Sequence, residues 1–229
     1  MIKACQTAIS LAFFLLPAPA FACRLALVLA IDVSASIDQQ DYALQRDGLA
    51  NALRSPDVVD AFLSSPAPVA LAAYEWSGPR RARLILDWTM MSRAQDLLAA
   101  ADQIGSQHRY RSGSTSIGYA LNFGAAVLDS APACARKTLD LSGDGLPNEG
   151  DHPQAIYRTG AFDGVTVNAL AIGGSEPLET LVAYLTRHVL RGHDAFVEVA
   201  IDHRDFETAM RRKLVREVQT RAVGHLTAP

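Results

Sequence analysis

The stretch from Leu25 to Ile31, Leu-Ala-Leu-Val-Leu-Ala-Ile, contains no polar residue, and it runs straight into Asp32-Val-Ser-Ala-Ser36. An apolar run without polar alternation describes a strand buried on both faces, as in a parallel sheet. The first groups beyond such a strand lie at the carboxyl edge, where open α/β sheets bind their ligands. Here that edge receives one carboxylate and two hydroxyls, Asp32, Ser34 and Ser36. These are hard oxygen donors, suited to Mg²⁺, Mn²⁺ or Ca²⁺ rather than to zinc or copper. Taken alone, the pattern has a second reading. Asp and Ser are also ordinary helix caps, and a helix starts near Asp38.

The chain has 229 residues, about half of them apolar, with a formal net charge of -3 and no strong basic run. That is an ordinary globular mixture without the footprint of a nucleic-acid-binding surface. The first 22 residues read as a secretory leader: Lys3, an apolar stretch from Ala8 to Leu16, Pro17, and the small-x-small pattern Ala20-Phe21-Ala22. The stretch is shorter than the ~20 apolar residues of a spanning helix. Cleavage after Ala22 leaves one domain, residues 23–229, with no membrane span and a periplasmic or secreted location. It also leaves two cysteines, Cys23 and Cys134, an even pair in an exported chain. Lipid attachment at Cys23 is the rival use, although Ala20 and Phe21 depart from the usual signal for it.

Further along, strands and helices alternate. A helix is expected from Asp38 to Leu53, and a second one opened by Ser55-Pro56. The apolar runs Val69–Tyr74 and Ala82–Trp88, joined by a short Gly-Pro segment, form a hairpin, which places one antiparallel strand at a sheet edge. A helix over Ser92–Ile104, a polar loop to Ser112, and Gly113-Ser-Thr-Ser-Ile-Gly118 leading a helix to Leu128 follow. The strand Lys137–Leu141 ends in Ser142-Gly-Asp-Gly145. A short helix Pro153–Arg158, the strand Val165–Ile172, a helix Leu178–Leu190, a last strand Ala195–Ile201 and a helix bearing Phe206, Met210 and Leu214 complete the order. The fold class is α/β: a doubly wound, mostly parallel six-stranded sheet with one antiparallel edge strand and helices on both faces.

In such a sheet the loops after strands gather on one edge. Asp32, Ser34, Ser36 and Asp144 converge there, and the Gly-flanked loop before a helix brings Thr115 to the same place. On these residues the sequence resembles the von Willebrand factor type A domain. Asp32-Val-Ser-Ala-Ser36, Gly113-Ser-Thr115 and Asp144-Gly145 match the segments of that family's metal-ion-dependent adhesion site. The resemblance implies that Ser34, Ser36 and Thr115 ligate a divalent ion directly, and that Asp32 and Asp144 hold it directly or through water. It also implies a protein partner that supplies an Asp or Glu to the ion. Ser142-Gly143 departs from the Leu-Thr found in many members. Glu75-Trp-Ser-Gly78 and Asp140-Leu-Ser-Gly-Asp-Gly145 also look like a bacterial group of exported, type-A-like proteins of uncharacterised function.

Other residues have plainer readings. Glu75 and Trp76, just past a strand, are candidates for a partner-binding rim, with Trp76 also placed to cap the core. The six histidines show no metal-ligand spacing. Arg80 and Arg81 fall at a hairpin tip, and Arg211-Arg-Lys213 on the exposed face of the last helix. If the first strand lies beside the strand ending at Asp144, Cys23 and Cys134 sit at matching depth and can form a disulfide. The rival functions are a phosphohydrolase of the haloacid dehalogenase type and a structural envelope protein with a vestigial site. The first needs a second Asp two residues after Asp32 as general acid, and that position is Ser34. The expectation is therefore a binding module and not an enzyme.

Overall fold

The computed structural model describes residues 22–219. The leader reading lies outside these residues except for Ala22. Six strands form one sheet in the order β3-β2-β1-β4-β5-β6. They are β1 (Leu25–Asp32), β2 (Val69–Trp76), β3 (Ala82–Met91), β4 (Lys137–Gly143), β5 (Val165–Ile172) and β6 (Val197–Ala200). All neighbours are parallel except β2 and β3, whose antiparallel pairing makes β3 an edge strand. The hairpin and its place at the edge are as the Gly-Pro connection predicts.

Every residue of β1 is buried, because the strand lies in the interior of the sheet with helices on both faces. Side chains alternate across a strand, so its apolar residues divide between two cores. Leu25, Leu27, Leu29 and Ile31 pack with α1 (Gln39–Arg54), α2 (Pro56–Phe62), α3 (Ala94–Gly105) and α7 (Phe206–Gln219). Val28 and Ala30 pack with α4 (Ile117–Asp129), α5 (Pro153–Tyr157) and α6 (Leu178–Tyr184). This division explains why the run has no polar alternation.

Cys23 and Cys134 form a disulfide, with their Cα atoms 4.5 Å apart. The bridge continues the parallel register of β1 and β4, in which Ala26 faces Lys137. It lies at the end of the sheet opposite the loop that carries Asp144. Next to it, Arg24 donates to the carbonyls of Ala61, Phe62 and Val218. One guanidinium thus serves the carbonyl ends of both α2 and α7, where helices leave acceptors unsatisfied and favour a cation.

Several local expectations are corrected. Ser55 does not cap α2 with its side chain; its hydroxyl donates back to the carbonyl of Ala52 at 2.6 Å. The helix expected to reach Leu190 leaves α geometry after Tyr184 and closes in a π-helical turn, Leu185–Val189. The last strand is shorter than expected, Val197–Ala200. Lys213 is not on an exposed helix face. It is fully buried, 2.9 Å from Asp140 Oδ1 and 2.9 Å from Glu217 Oε1. Asp140 lies in a central strand between Leu139 and Leu141, which face the other core. A carboxylate at that position requires a cation from α7, because an unpaired buried charge is strongly unfavourable.

Candidate metal centre

Three loops build the site at the carboxyl edge of the sheet. The loop after β1 turns sharply because Asp32 Oδ1 accepts the amide of Ser34 at 2.7 Å. The cap of α1 is Asp38, whose Oδ1 accepts the amides of Gln40 and Asp41 at 2.7 and 2.9 Å. The capping reading of the D-x-S-x-S segment is thereby taken up by a different residue, which leaves the Ser34 and Ser36 side chains free for another role. Their hydroxyl oxygens lie 3.2 Å apart, and Ser36 Oγ donates to Asp144 Oδ1 at 2.7 Å. A chain of polar contacts thus joins the loops after β1 and β4.

Thr115 is buried in the third loop. Asn148 holds it: Asn148 Oδ1 accepts the Thr115 amide at 2.9 Å, and the Asn148 amide donates to the Thr115 carbonyl at 3.0 Å. A Cβ placed on Gly145 would lie 4.0 Å from Thr115 Oγ1, which sets that hydroxyl beside the residue following Asp144. The Ala35 amide donates to the Gly113 carbonyl at 2.7 Å and joins the first loop to the third. The structure therefore brings Asp32, Ser34, Ser36, Thr115 and Asp144 together. Ser36 is exposed while the other four are buried, so the group opens to solvent on one side. Ala35, Leu146, Pro147, Ser175 and Glu176 line the cleft there.

Sequence reasoning passed over Arg109. Its guanidinium donates to the carbonyl of Ser34 at 2.8 Å and to the carbonyl of Ile37, and reaches Ser112 Oγ at 3.2 Å. It braces the first loop from below. Nothing in the polar segment Ser106–Ser112 marks this arginine out, because its acceptors are backbone carbonyls distant in sequence. His203 was missed as well. It is buried, 3.5 Å from Asp41 Oδ1, and an added Cβ on Gly174 would meet both its ring and Asp144 Oδ2.

Glu75 and Trp76 are both buried and offer no side-chain rim to a partner. Glu75 accepts from Tyr42 Oη at 2.7 Å and from Arg83 at 3.0 Å, so its carboxylate is satisfied inside the protein. Trp76 packs in the core, its ring close to Gly143. Gly143 stands where many members of the resembled family have Thr. A Cβ there would stand 3.1 Å from Asp32 Oδ2, tighter than most real contacts.

The electrostatics fit a cation. Burial, followed by the charge of Asp144, pushes the Asp32 carboxyl up to about 7. Asp144 is also raised, chiefly by burial. Asp32 Oδ2 is buried with no hydrogen-bond partner. Two buried carboxylates, one with an unsatisfied oxygen, are costly unless a positive charge is shared between them. Among the described residues no three His, Cys, Asp or Glu side chains gather into a metal cluster. Hydroxyls make up the remainder of this donor set, which is all hard oxygen.

A family model described as "Protein of unknown function (DUF1194)" matches residues 22–222. No curated protein sequence matches the chain. Among solved structures, a von Willebrand factor type A protein from Catenulispora acidiphila is similar with a TM-score of 0.60 at 19% identity, over 86% of this chain and 43% of that one. The pilus adhesin SpaC from Lactobacillus rhamnosus GG has a TM-score of 0.64 at 16% identity, over 86% of this chain and 30% of its own. Proximal thread matrix protein 1 from the mussel byssus, in a form with a zinc-occupied MIDAS motif, has a TM-score of 0.60 at 16% identity, over 86% and 46%. The chain spans less than half the length of each. At these identities the likeness establishes the fold, that of a von Willebrand factor type A domain.

Proposed function

We propose that this chain, which belongs to the DUF1194 family, is an exported module that binds a divalent cation at Asp32, Ser34, Ser36, Thr115 and Asp144 and, through it, a carboxylate of a protein partner. The observation that carries this reading is the polar chain Ser34–Ser36–Asp144 beside an Asp32 oxygen with no donor. Mg²⁺ suits the donor set best, with Mn²⁺ or Ca²⁺ as alternatives. When bound, a hard divalent ion faced by only two carboxylates keeps exchangeable water ligands and can accept an incoming Asp or Glu. Ser36, the exposed member, stands where that exchange would occur.

The protein's own residues supply the rest. Asp32 and Asp144 give the negative charge, the hydroxyls give neutral donors, and Arg109 and Asn148 hold the loops in place. The similar structures include a pilus adhesin and a minor pilin, which supports a role in protein interaction at the cell envelope. Among the described residues no helix is long and apolar enough to cross a membrane. Binding, not hydrolysis, is the activity proposed, since the residue two after Asp32 is a serine and not an acid.

Calorimetric titration of Mg²⁺ into wild type and Asp32→Ala tests the ion site. Equal affinity in the two proteins would overturn the reading. Pull-down from an envelope extract with and without chelator tests the partner, whose capture should need the ion.

A further inference from the structure

A second cluster of ligand-type side chains lies away from the oxygen site, between the start of α5 and the π-helical turn after α6. We propose that His152 and His188 form a separate site for a borderline transition-metal ion, Zn²⁺ or Cu²⁺, held by two imidazoles and completed by water. The two rings are distant in sequence, yet their centroids are 4.8 Å apart and nearly perpendicular. With a metal–nitrogen distance of about 2.0–2.1 Å, each centroid lies roughly 3.2 Å from a shared ion, so ligand angles between a right angle and the tetrahedral value put the centroids roughly 4.5–5.2 Å apart. The observed separation falls within that range. Imidazole is the donor that suits zinc and copper, whereas the oxygen site suits Mg²⁺.

Two buried polar atoms beside the pair lack partners. The hydroxyl of Tyr184, whose ring centroid is 4.8 Å from His188 and 6.2 Å from His152, has none, and it could bond a metal-bound water. Gln154 Oε1 has none either, while its Nε2 lies 3.0 Å from His188 Nδ1. A half-turn of the amide exchanges these two atoms and gives up the 3.4 Å hydrogen bond that Nε2 donates to the His188 carbonyl. Oε1 then accepts the Nδ1–H of His188, and the Nε2 lone pair of the ring is left for a metal. This is the outer-shell bond that orients ligating histidines. His188 also stands in the π-helical turn Leu185–Val189, a rare geometry that is frequent at functional sites.

The test is calorimetric titration of Zn²⁺ into the untagged chain in excess Mg²⁺, with wild type, His152→Gln, His188→Gln, Gln154→Leu and Asp32→Ala. Wild type should take up one zinc equivalent that both histidine variants lose and Asp32→Ala retains. Gln154→Leu should weaken it about tenfold. Because His152 is exposed, its variant should melt like wild type, so loss of zinc there cannot be ascribed to unfolding. No zinc uptake by wild type, or unchanged uptake in both histidine variants, would overturn the proposal. So would uptake lost in Asp32→Ala but kept in His152→Gln, which would assign the zinc to the oxygen site.

Discussion

Ser36 Oγ donates to Asp144 Oδ1 at 2.7 Å, across loops that follow two adjacent strands. A single hydroxyl thus closes the gap between the two carboxylate-bearing loops, and it is the member of the site that solvent reaches. Ser36→Ala should leave the fold intact and remove a ligand. Addition of Mg²⁺ should raise the melting temperature of wild type by mass action and raise that of Ser36→Ala much less. An equal rise in both would remove Ser36 from the site.

Arg109 acts on the same loop without belonging to the donor set. Arg109→Ala removes the guanidinium from the carbonyl of Ile37 and one of two donors from that of Ser34, which keeps the Ile37 amide at 3.1 Å. Each buried acceptor left unsatisfied costs about 1–3 kcal/mol. Lower stability is expected together with weaker Mg²⁺ binding, because the serines are no longer held in place. Mg²⁺ affinity at the wild-type value, measured by calorimetry on the folded variant, would make Arg109 structural only.

The disulfide should contribute to stability and not to ion binding. Cys23 and Cys134 are 111 positions apart, and chain-entropy models give about 4–5 kcal/mol for a loop of that length, usually an overestimate. Cys134→Ser or reduction should lower the denaturant midpoint. Mg²⁺ affinity should change little, since the bridge lies at the opposite end of β1 from Asp32. A large loss of affinity in the folded, reduced protein would contradict this separation.

The buried cluster of Asp140, Lys213 and Glu217 holds two carboxylates and one ammonium. Burial, then the neighbouring charge of Glu217, lifts the Asp140 carboxyl from its ordinary 3.8 to about 7. A carboxyl raised on folding makes its full contribution below its unfolded value and loses it as pH rises through the folded one. Stability should therefore fall between about pH 4 and about pH 7, and Asp140→Asn should flatten that slope. An identical slope in the two proteins would exclude Asp140 as its source. Lys213→Met leaves both carboxylates without a cation, Glu217 keeping only Asn168 at 2.8 Å, and should cost about 3–5 kcal/mol at neutral pH, measured by denaturant unfolding.

Much of this molecule is legible in one dimension. The unbroken apolar run of β1 specifies a strand covered on both faces, because side chains alternate and neither face can meet water. The Gly-Pro hairpin specifies an antiparallel edge strand, because so short a link cannot return a chain parallel. The segments bearing Asp32, Thr115 and Asp144 are local motifs, and the sheet topology brings them to one edge. The pairing of Cys23 with Cys134 followed from the parallel neighbours β1 and β4. What the sequence could not disclose are contacts between side chains and distant groups. Lys213 sits in a basic run that suggests a solvated helix face, and only the packing of α7 over Asp140 reverses that reading. Arg109 has backbone acceptors, which carry no residue-specific signal. Glu75 reads from the sequence as following a strand, as a rim residue would, yet it lies within β2, where Tyr42 and Arg83 enclose it. His152 and His188 have no ligand spacing in the chain, and they meet because a π-helical turn and the start of α5 pack against each other. Local pattern decides which face of an element is apolar. The partner of each buried polar group is decided only when the elements pack.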